Sequence, residues 1–152
     1  ANEGYPLTTI AKPLYDPRLT RWVHTLRSRY GMQIIWRGQE NLWQEIVRTF
    51  QEKRLMALLI DQDTDVPGVF VPFFGRLAHT PSAAAMMAIK SRAPVIMGWS
   101  HRDAGTHKLH FERFAVKRTN HDNEDIERIT VEMTRRLEEG ICHAPEQARC
   151  MA

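Results

Sequence analysis

Short runs of strand-forming residues alternate along this chain with segments whose apolar residues recur at helical spacing. The predicted strands are 6–12, 32–36, 55–60, 93–100 and 108–114, with 69–74 extended, and the predicted helices are 17–30, 39–53, 82–90 and 122–143. Such alternation is typical of βαβ units, whose parallel strands are covered by helices. The sequence therefore predicts an α/β fold with a mostly parallel, mixed sheet flanked by helices.

Local signals predict where several of these elements begin and end. Asp16 suits the N-cap of the first helix, Pro17 suits its first position, and Gly31 suits the left-handed residue after its end. The segment 103–105, Asp-Ala-Gly, predicts a hairpin turn. The C-terminal amphipathic helix should turn five residues inward, although Gly140 weakens it; they are Ile126, Ile129, Met133, Leu137 and Ile141.

The length of 152 residues suits one domain with a sizeable core. No apolar run approaches the roughly 18 residues of a membrane-spanning helix. The N-terminus has neither a starter Met nor the basic and apolar regions of a signal peptide, so we expect a chain that begins inside a longer protein. Cys142 and Cys150 match no zinc spacing and are expected to be free thiols.

The net charge of +3 is modest, but five arginines fall within one stretch: Arg18, Arg21, Arg27, Arg29 and Arg37. Such a stretch could bind phosphates, an anionic membrane surface or nucleic acid, or form a solvated helix face. The chain carries no RNA- or DNA-binding motif, so no nucleic-acid partner is expected.

The apolar run 55–60 predicts a fully buried strand that ends at a cluster of carboxylates. The spacing of Asp61, Asp63 and Asp65 suggests a calcium loop, but Val66 replaces the required Gly and Pro72 replaces the bidentate Glu. A solvated acidic loop is the simpler alternative. We favour a third interpretation, in which Asp61 and Gln62 face a substrate cleft because they directly follow a central strand, while the later carboxylates are solvated.

The next segment, 69–75, is strongly apolar and carries Phe70, Phe73 and Phe74. It could be a core strand, although Pro72 removes a ladder donor and argues against a regular central strand. An aromatic corner that lines a pocket is the alternative, and Gly75 would permit a turn or a close approach by a ligand there.

Arg27 and Arg29 end the first helix, where cations favour the helix dipole. Residues two apart lie about 200° apart on a helix, so only one of the two side chains can face a site. An arginine at a cleft would bind a phosphate through a bidentate contact.

His107 and Glu112 are the one pair with the spacing His-x-x-x-x-Glu. Both lie in a predicted strand, where an odd offset places them on opposite faces. We therefore expect the pair to have no catalytic role.

Several segments, in this order, resemble the bacterial lipid A biosynthesis acyltransferases, the lauroyl and myristoyl transferase branch of the lysophospholipid acyltransferase superfamily. The resemblance covers most of the chain, from Pro6 to about Gln147. The segments that carry it are 11–13 with 16–19, then 27–31, 60–62, 69–75 with Ala78 and Thr80, and 144–147. It implies a partial domain of the glycerol-3-phosphate acyltransferase type over 1–147, the C-terminal part of a single domain. The tail 148–152 departs from the family's aromatic and basic continuation.

The resemblance implies transfer of a fatty acyl chain from acyl carrier protein, or acyl-CoA, to a hydroxyl of a lipid A precursor at the cytoplasmic face of the inner membrane. The family's base, a His-x-x-x-x-Asp/Glu motif, should precede Ala1, so this chain should be inactive alone. No cofactor or metal is implied. By the same resemblance, Arg27 or Arg29 should contact a phosphate, and Asp61 and Gln62 should line the acceptor pocket. Four further residues should shape the acyl or glucosamine side: Phe73, Phe74, Gly75 and Thr80.

The sequence does not exclude two other functions. A phosphatidylinositol mannoside acyltransferase, or another lysophospholipid acyltransferase, belongs to the same superfamily and is not separable on these residues. A non-catalytic module that binds lipid or phosphate is the alternative from a different class.

Overall fold

The computed structural model describes residues 4–61, 65–119 and 121–147. The chain forms two compact units, Ala1–Leu58 and Leu59–Ala152, which we describe separately. The expectation of a single domain over 1–147 stays a prediction. Within the described residues, no helix has both the length and the apolar character that crossing a bilayer requires.

The first unit is a three-stranded parallel sheet with two helices. Its elements are β1 (Leu7–Ala11), α1 (Pro17–Arg29), β2 (Gln33–Trp36), α2 (Leu42–Gln51) and β3 (Leu55–Ala57). The strand order is β2-β1-β3, with Thr8 opposite Gln33 on one side and Met56 on the other. These βαβ connections confirm the predicted α/β class. Helix α2 is shorter than the predicted helix 39–53 and begins after a turn at 37–41.

The ends of α1 follow the predicted signals. The Asp16 side chain accepts a hydrogen bond of 2.7 Å from the backbone N–H of Arg18, and Pro17 is the first helical residue. At the other end Gly31 has φ +73°, and the N–H groups of Gly31 and Met32 donate to the carbonyls of Ser28 and Arg27. This is the Schellman arrangement, which satisfies carbonyls that the helix leaves free.

Strand β3 differs from the prediction of a buried, central strand over 55–60. Only Leu55–Ala57 is strand, and Leu55 and Leu59 are 49% and 71% exposed. Among the described residues β3 lies at the edge of the sheet, and the central strand is β1. An apolar run indicates a strand but not its place in the sheet, which depends on pairing with distant segments. The prediction that Asp61 directly follows a central strand is therefore wrong, since the strand before it is a short edge strand that ends at Ala57.

The second unit consists of two antiparallel hairpins and two helices. Its elements are β4 (Gly68–Phe73), β5 (Arg76–Pro81), α3 (Ala83–Ser91), β6 (Val95–Asp103), β7 (Thr106–Phe114), α4 (Asp122–Cys142) and a 3₁₀ turn (Pro145–Gln147). Strand β5 was not predicted, whereas β6, β7, α3 and α4 were. Cys142 is a free, exposed thiol, as expected, and Cys150 lies outside the described residues.

The core of the second unit lies between the helices and the second hairpin. Its buried members come from α3, β7 and α4: Ala85, Ala88, Phe114, Ile129 and Met133. The predicted inward positions of α4 are confirmed for Ile129 and Met133, which are 1% and 4% exposed. Leu137 and Ile141 are half-buried.

Candidate functional site

An aromatic corner lies at the turn between β4 and β5. The rings of Phe73 and Phe74 meet edge to face, with centroids 4.8 Å apart and planes inclined by 71°. Phe73 pairs with Arg76, so the turn contains only Phe74 and Gly75, and both have positive φ, +47° and +76°. This matches the type I′ hairpin turn. Of the two possibilities that Gly75 left open, the structure shows the turn.

Helix α4 holds this corner in place. The Glu138 carboxylate accepts a hydrogen bond from the backbone N–H of Phe74. Val71, two residues before Phe73, is fully buried. Because a carboxylate from the helix satisfies the turn's free amide, the conformation of the turn depends on α4 as well as on its own sequence.

Phe74 has a backbone conformation that a bulky residue rarely adopts. Type I′ turns favour Asn, Asp or Gly at this position, and a larger L-residue costs about 1–2 kcal/mol there. The ring is nevertheless 49% exposed. Strain of this kind clusters at functional sites, so the presence of Phe rather than Asn favours a role for the ring.

Thr80 lies away from the aromatic corner. It is only 4% exposed and pairs with Val69, near the opposite end of the hairpin from Gly75. The structure therefore brings together Phe73, Phe74 and Gly75, but not Thr80 with them.

The outer face of the β4–β5 hairpin carries further apolar side chains. Phe70 and Leu77 are 68% and 72% exposed, and the His79 ring lies 5.5 Å from the Phe70 ring. A Cβ atom at Gly68 would overlap the backbone carbonyl oxygen of Thr80 and lie 2.7 Å from the His79 Nε2 atom, so this glycine leaves room for the backbone of β5 and for the imidazole. This face was not predicted because β5 was not predicted, although the alternation of residues 70 and 72 on one strand and 77 and 79 on the other indicates a common face.

Asp61 is exposed and makes no hydrogen bond or ion pair with any residue that the structure describes. Gln62 and Asp63 lie outside the described residues, so the predicted position of Gln62 stays a prediction. Asp65 is exposed, as expected for a solvated carboxylate. Within the described parts of the chain, no three His, Cys, Asp or Glu side chains form a group that could hold a metal ion.

Arg27 and Arg29 occupy the last turn of α1, in the first unit. Arg27 is half-buried and Arg29 is exposed, as their separation on the helix requires. Neither guanidinium forms an ion pair with a described residue, so both remain available for an anion. Asp61 and the aromatic corner belong to the second unit, and a joint site with Arg27 stays a prediction.

His107 and Glu112 both lie in β7, as predicted, at an odd offset along the strand. That they have no catalytic role stays a prediction. His107 is exposed near the hairpin turn, whereas the Glu112 carboxylate lies 3.7 Å from the Arg136 Nε atom on α4. A shallow cavity of about 490 Å³ lies beside this turn and is lined by Ser100, His101, Arg102, Ala104, Gly105, His107 and Gln147.

Gln147, part of the last segment that carries the resemblance, has a structural role. Its side-chain oxygen accepts from the Arg102 N–H at 2.6 Å, and its nitrogen donates to the Arg102 carbonyl at 2.8 Å. The amide thus pairs with the β6 backbone as a neighbouring strand would. No signal in the sequence indicated this partner.

The family model for bacterial lipid A biosynthesis acyltransferases matches residues 1–148. No curated protein sequence matches the chain significantly. The family match covers nearly the whole chain and includes the aromatic corner, Asp61 and both arginines of the last turn of α1. The protein therefore belongs to the bacterial lipid A biosynthesis acyltransferases, enzymes that use an acyl donor and a lipid acceptor.

Proposed function

We propose that this chain provides the acceptor-binding part of an enzyme that transfers a fatty acyl chain to a hydroxyl of a lipid A precursor, in lipopolysaccharide biosynthesis. The donor would be acyl carrier protein carrying a thioester, or acyl-CoA. The observation that carries this proposal is the family match over residues 1–148. The location would be the cytoplasmic face of the inner membrane, where an amphiphilic acceptor is accessible.

In this reaction the acceptor hydroxyl oxygen attacks the thioester carbonyl, an ester C–O bond forms and the C–S bond breaks. The hydroxyl proton passes to a general base and then to the leaving thiolate. The base must lie within hydrogen-bond reach of the hydroxyl. The chain's one His-x-x-x-x-Glu pair lies along β7, with Glu112 directed at Arg136, so we assign the base to a segment that precedes Ala1.

The roles of the chain's own residues follow from their chemistry. Arg27, or Arg29, would bind a phosphate of the acceptor or carrier through its planar guanidinium. Asp61, with Gln62 beside it, would line the acceptor pocket near the reacting hydroxyl. Phe73, Phe74 and Gly75 would shape the acyl or glucosamine side, since the exposed Phe74 ring on a strained turn, packed on the half-buried Phe73 ring, offers apolar surface to a lipid.

The test compares this 152-residue chain with the product of the complete reading frame that encodes it. Both are assayed with acyl carrier protein thioester and a lipid A precursor. We expect transfer from the complete product only, with a His-x-x-x-x-Asp/Glu motif upstream of Ala1. Full activity of the chain alone would contradict the assignment of the base.

The same assay separates the alternatives. Transfer to a phosphatidylinositol mannoside or a lysophospholipid, but not to the lipid A precursor, would contradict the proposed acceptor. A start codon immediately upstream of Ala1, with lipid binding but no transfer, would indicate a non-catalytic binding module instead.

A further inference from the structure

The outward face of α1 carries an apolar stripe. Leu19, Trp22 and Leu26 recur at helical spacing and are 52%, 62% and 38% exposed. Tyr30, 54% exposed, continues the stripe at the C-cap. The structure describes every residue of α1, and none of them is buried. This surface, the α1 stripe, is therefore a helix face that no other described residue of the first unit covers.

The α1 stripe is distinct from the face that packs on the sheet. The His24 ring lies 6.3 Å from the Trp36 ring of β2, and Thr20 and Arg27 are half-buried. At about 100° per residue, His24 points roughly 140° away from Leu19. The helix thus contacts its own unit on one side and presents apolar residues on another.

The charge of α1 is entirely positive. It contains Arg18, Arg21, Arg27 and Arg29, and the segment 17–30 has no Asp or Glu. Arg18 and Arg29 lie within about 40° of Trp22 around the helix axis, so cations border the stripe along its length. Arg18, Arg21 and Arg29 form no ion pair with the residues that the structure describes.

We infer that α1 is an interfacial helix, which lies flat on an anionic lipid surface with Leu19, Trp22 and Leu26 below the headgroups and Arg18 and Arg29 at the phosphates. A basic helix with a continuous Leu and Trp stripe is typical of helices that bind in the plane of a bilayer. Trp and Tyr favour the membrane interface, and each arginine adds attraction to anionic lipid.

An acidic protein or a nucleic acid would also bind the arginines. Neither would bury the adjacent apolar stripe as the interior of a bilayer does. The inference rests on the proposed function, which requires access to a membrane lipid, and deepens it by naming the surface involved. Vesicle binding needs no acyl donor or acceptor, so its outcome is independent of the transfer assay.

The experiment measures partitioning of the 152-residue chain onto phosphatidylcholine vesicles with and without phosphatidylglycerol, by co-sedimentation. We expect binding to the anionic vesicles only. Arg18→Gln with Arg29→Gln should lower the partition constant about 25-fold, at about fivefold per arginine. Leu19→Ser with Trp22→Ser should lower it about tenfold or more. Circular dichroism checks that each variant folds.

Matched controls remove the same side chains elsewhere. Arg76→Gln with Arg113→Gln removes two exposed strand arginines, and Leu109→Ser with Phe111→Ser removes two exposed apolar residues of β7. Both controls should partition as the unmodified chain does. Equal loss of binding in a control and its matched α1 variant would overturn the inference.

A second measurement uses the unmodified chain and brominated lipids, which quench a tryptophan inserted at the interface. Quenching should occur in the unmodified chain and be largely lost in Trp22→Phe, which should still bind. Unchanged quenching in Trp22→Phe would overturn the inference, because another tryptophan would then be the inserted one. Binding to an acidic protein or to DNA without vesicle binding would also overturn it.

Discussion

At the scale of single residues, Phe74 shows most clearly where local preference and structure disagree. Its φ of +47° suits Asn, yet the position holds an aromatic ring packed edge to face on Phe73. Asn tolerates the left-handed region better than Ala by about 1 kcal/mol. We predict that Phe74→Asn is more stable than Phe74→Ala by about that amount in chemical denaturation, although both lose the ring.

Both Phe74 variants should also lower kcat/KM for acyl transfer in the complete enzyme, by about tenfold, because the ring no longer offers apolar surface to the lipid. Ala104 is the matched control, since it has φ +45° in the equivalent turn of the second hairpin. Ala104→Asn should stabilise the chain and leave transfer unchanged. Transfer by Phe74→Asn at the unmodified rate would contradict a role for the corner.

Gly140 is a second residue at which the local preference is misleading. Ala favours a helix over Gly by about 1 kcal/mol, but a Cβ at Gly140 would lie 2.9 Å from the Cγ atom of Trp99. The indole is stacked on His110 with centroids 5.5 Å apart and cannot easily withdraw. Overpacking costs about 1–3 kcal/mol, so Gly140→Ala should destabilise the chain by roughly 1 kcal/mol.

Urea denaturation measures this effect, and Gly98→Ala is its control. A Cβ at Gly98 would also lie 2.9 Å from a ring, but that ring belongs to Phe111, which is 71% exposed and free to rotate away. The control should change the free energy of unfolding by about 0.5 kcal/mol or less. An equal or smaller loss at Gly140 than at Gly98 would refute the packing argument.

At the scale of elements, the start of α4 depends on one buried carboxylate. Asp125 is 1% exposed and accepts hydrogen bonds from the Thr119 N–H, the Thr119 hydroxyl and the Arg128 guanidinium. The Thr119 backbone bond, followed by the Arg128 bond, lowers the pKa of Asp125 from its ordinary value. A lowered folded-state pKa contributes stability above the unfolded pKa of about 3.9, and this stability is lost as the pH falls through the folded pKa.

We therefore predict that Asp125→Asn lowers the melting temperature by several degrees at neutral pH. The gap between the variant and the unmodified chain should be constant above about pH 5 and should narrow below about pH 4. Asp122→Asn, at an exposed position of the same first turn, should show a much smaller gap. A gap that widens towards low pH would contradict the assignment.

Elements with signals at their own ends could be predicted from the sequence, and elements defined by distant partners could not. Asp16, Pro17 and Gly31 predicted both ends of α1, and Asp103-Ala104-Gly105 predicted the second hairpin. Strand β5 was missed because Phe74 gives no turn signal. Strand β3 was misplaced because its edge position depends on β1 pairing with both neighbours.

At the scale of the whole molecule, the candidate site draws on residues that are far apart in sequence. The aromatic corner was predicted from 69–75 alone, but its support by Glu138 on α4 was not, because a contact across 64 residues leaves no local pattern. Arg27 and Asp61 belong to different units. We propose that each of them contacts the acceptor, and each calls for a functional test of its own.

The most direct measurement is kcat/KM for acyl transfer to the lipid A precursor, in the complete enzyme. We predict that Arg27→Ala and Asp61→Ala each lower it by about tenfold or more, the loss of roughly 1.4 kcal/mol of transition-state stabilisation. Arg113→Ala and Asp65→Ala, which remove an exposed arginine and an exposed aspartate elsewhere, should stay within about twofold of the unmodified enzyme. If Arg27→Ala and Asp61→Ala both remain within about twofold, neither residue contacts the acceptor as proposed.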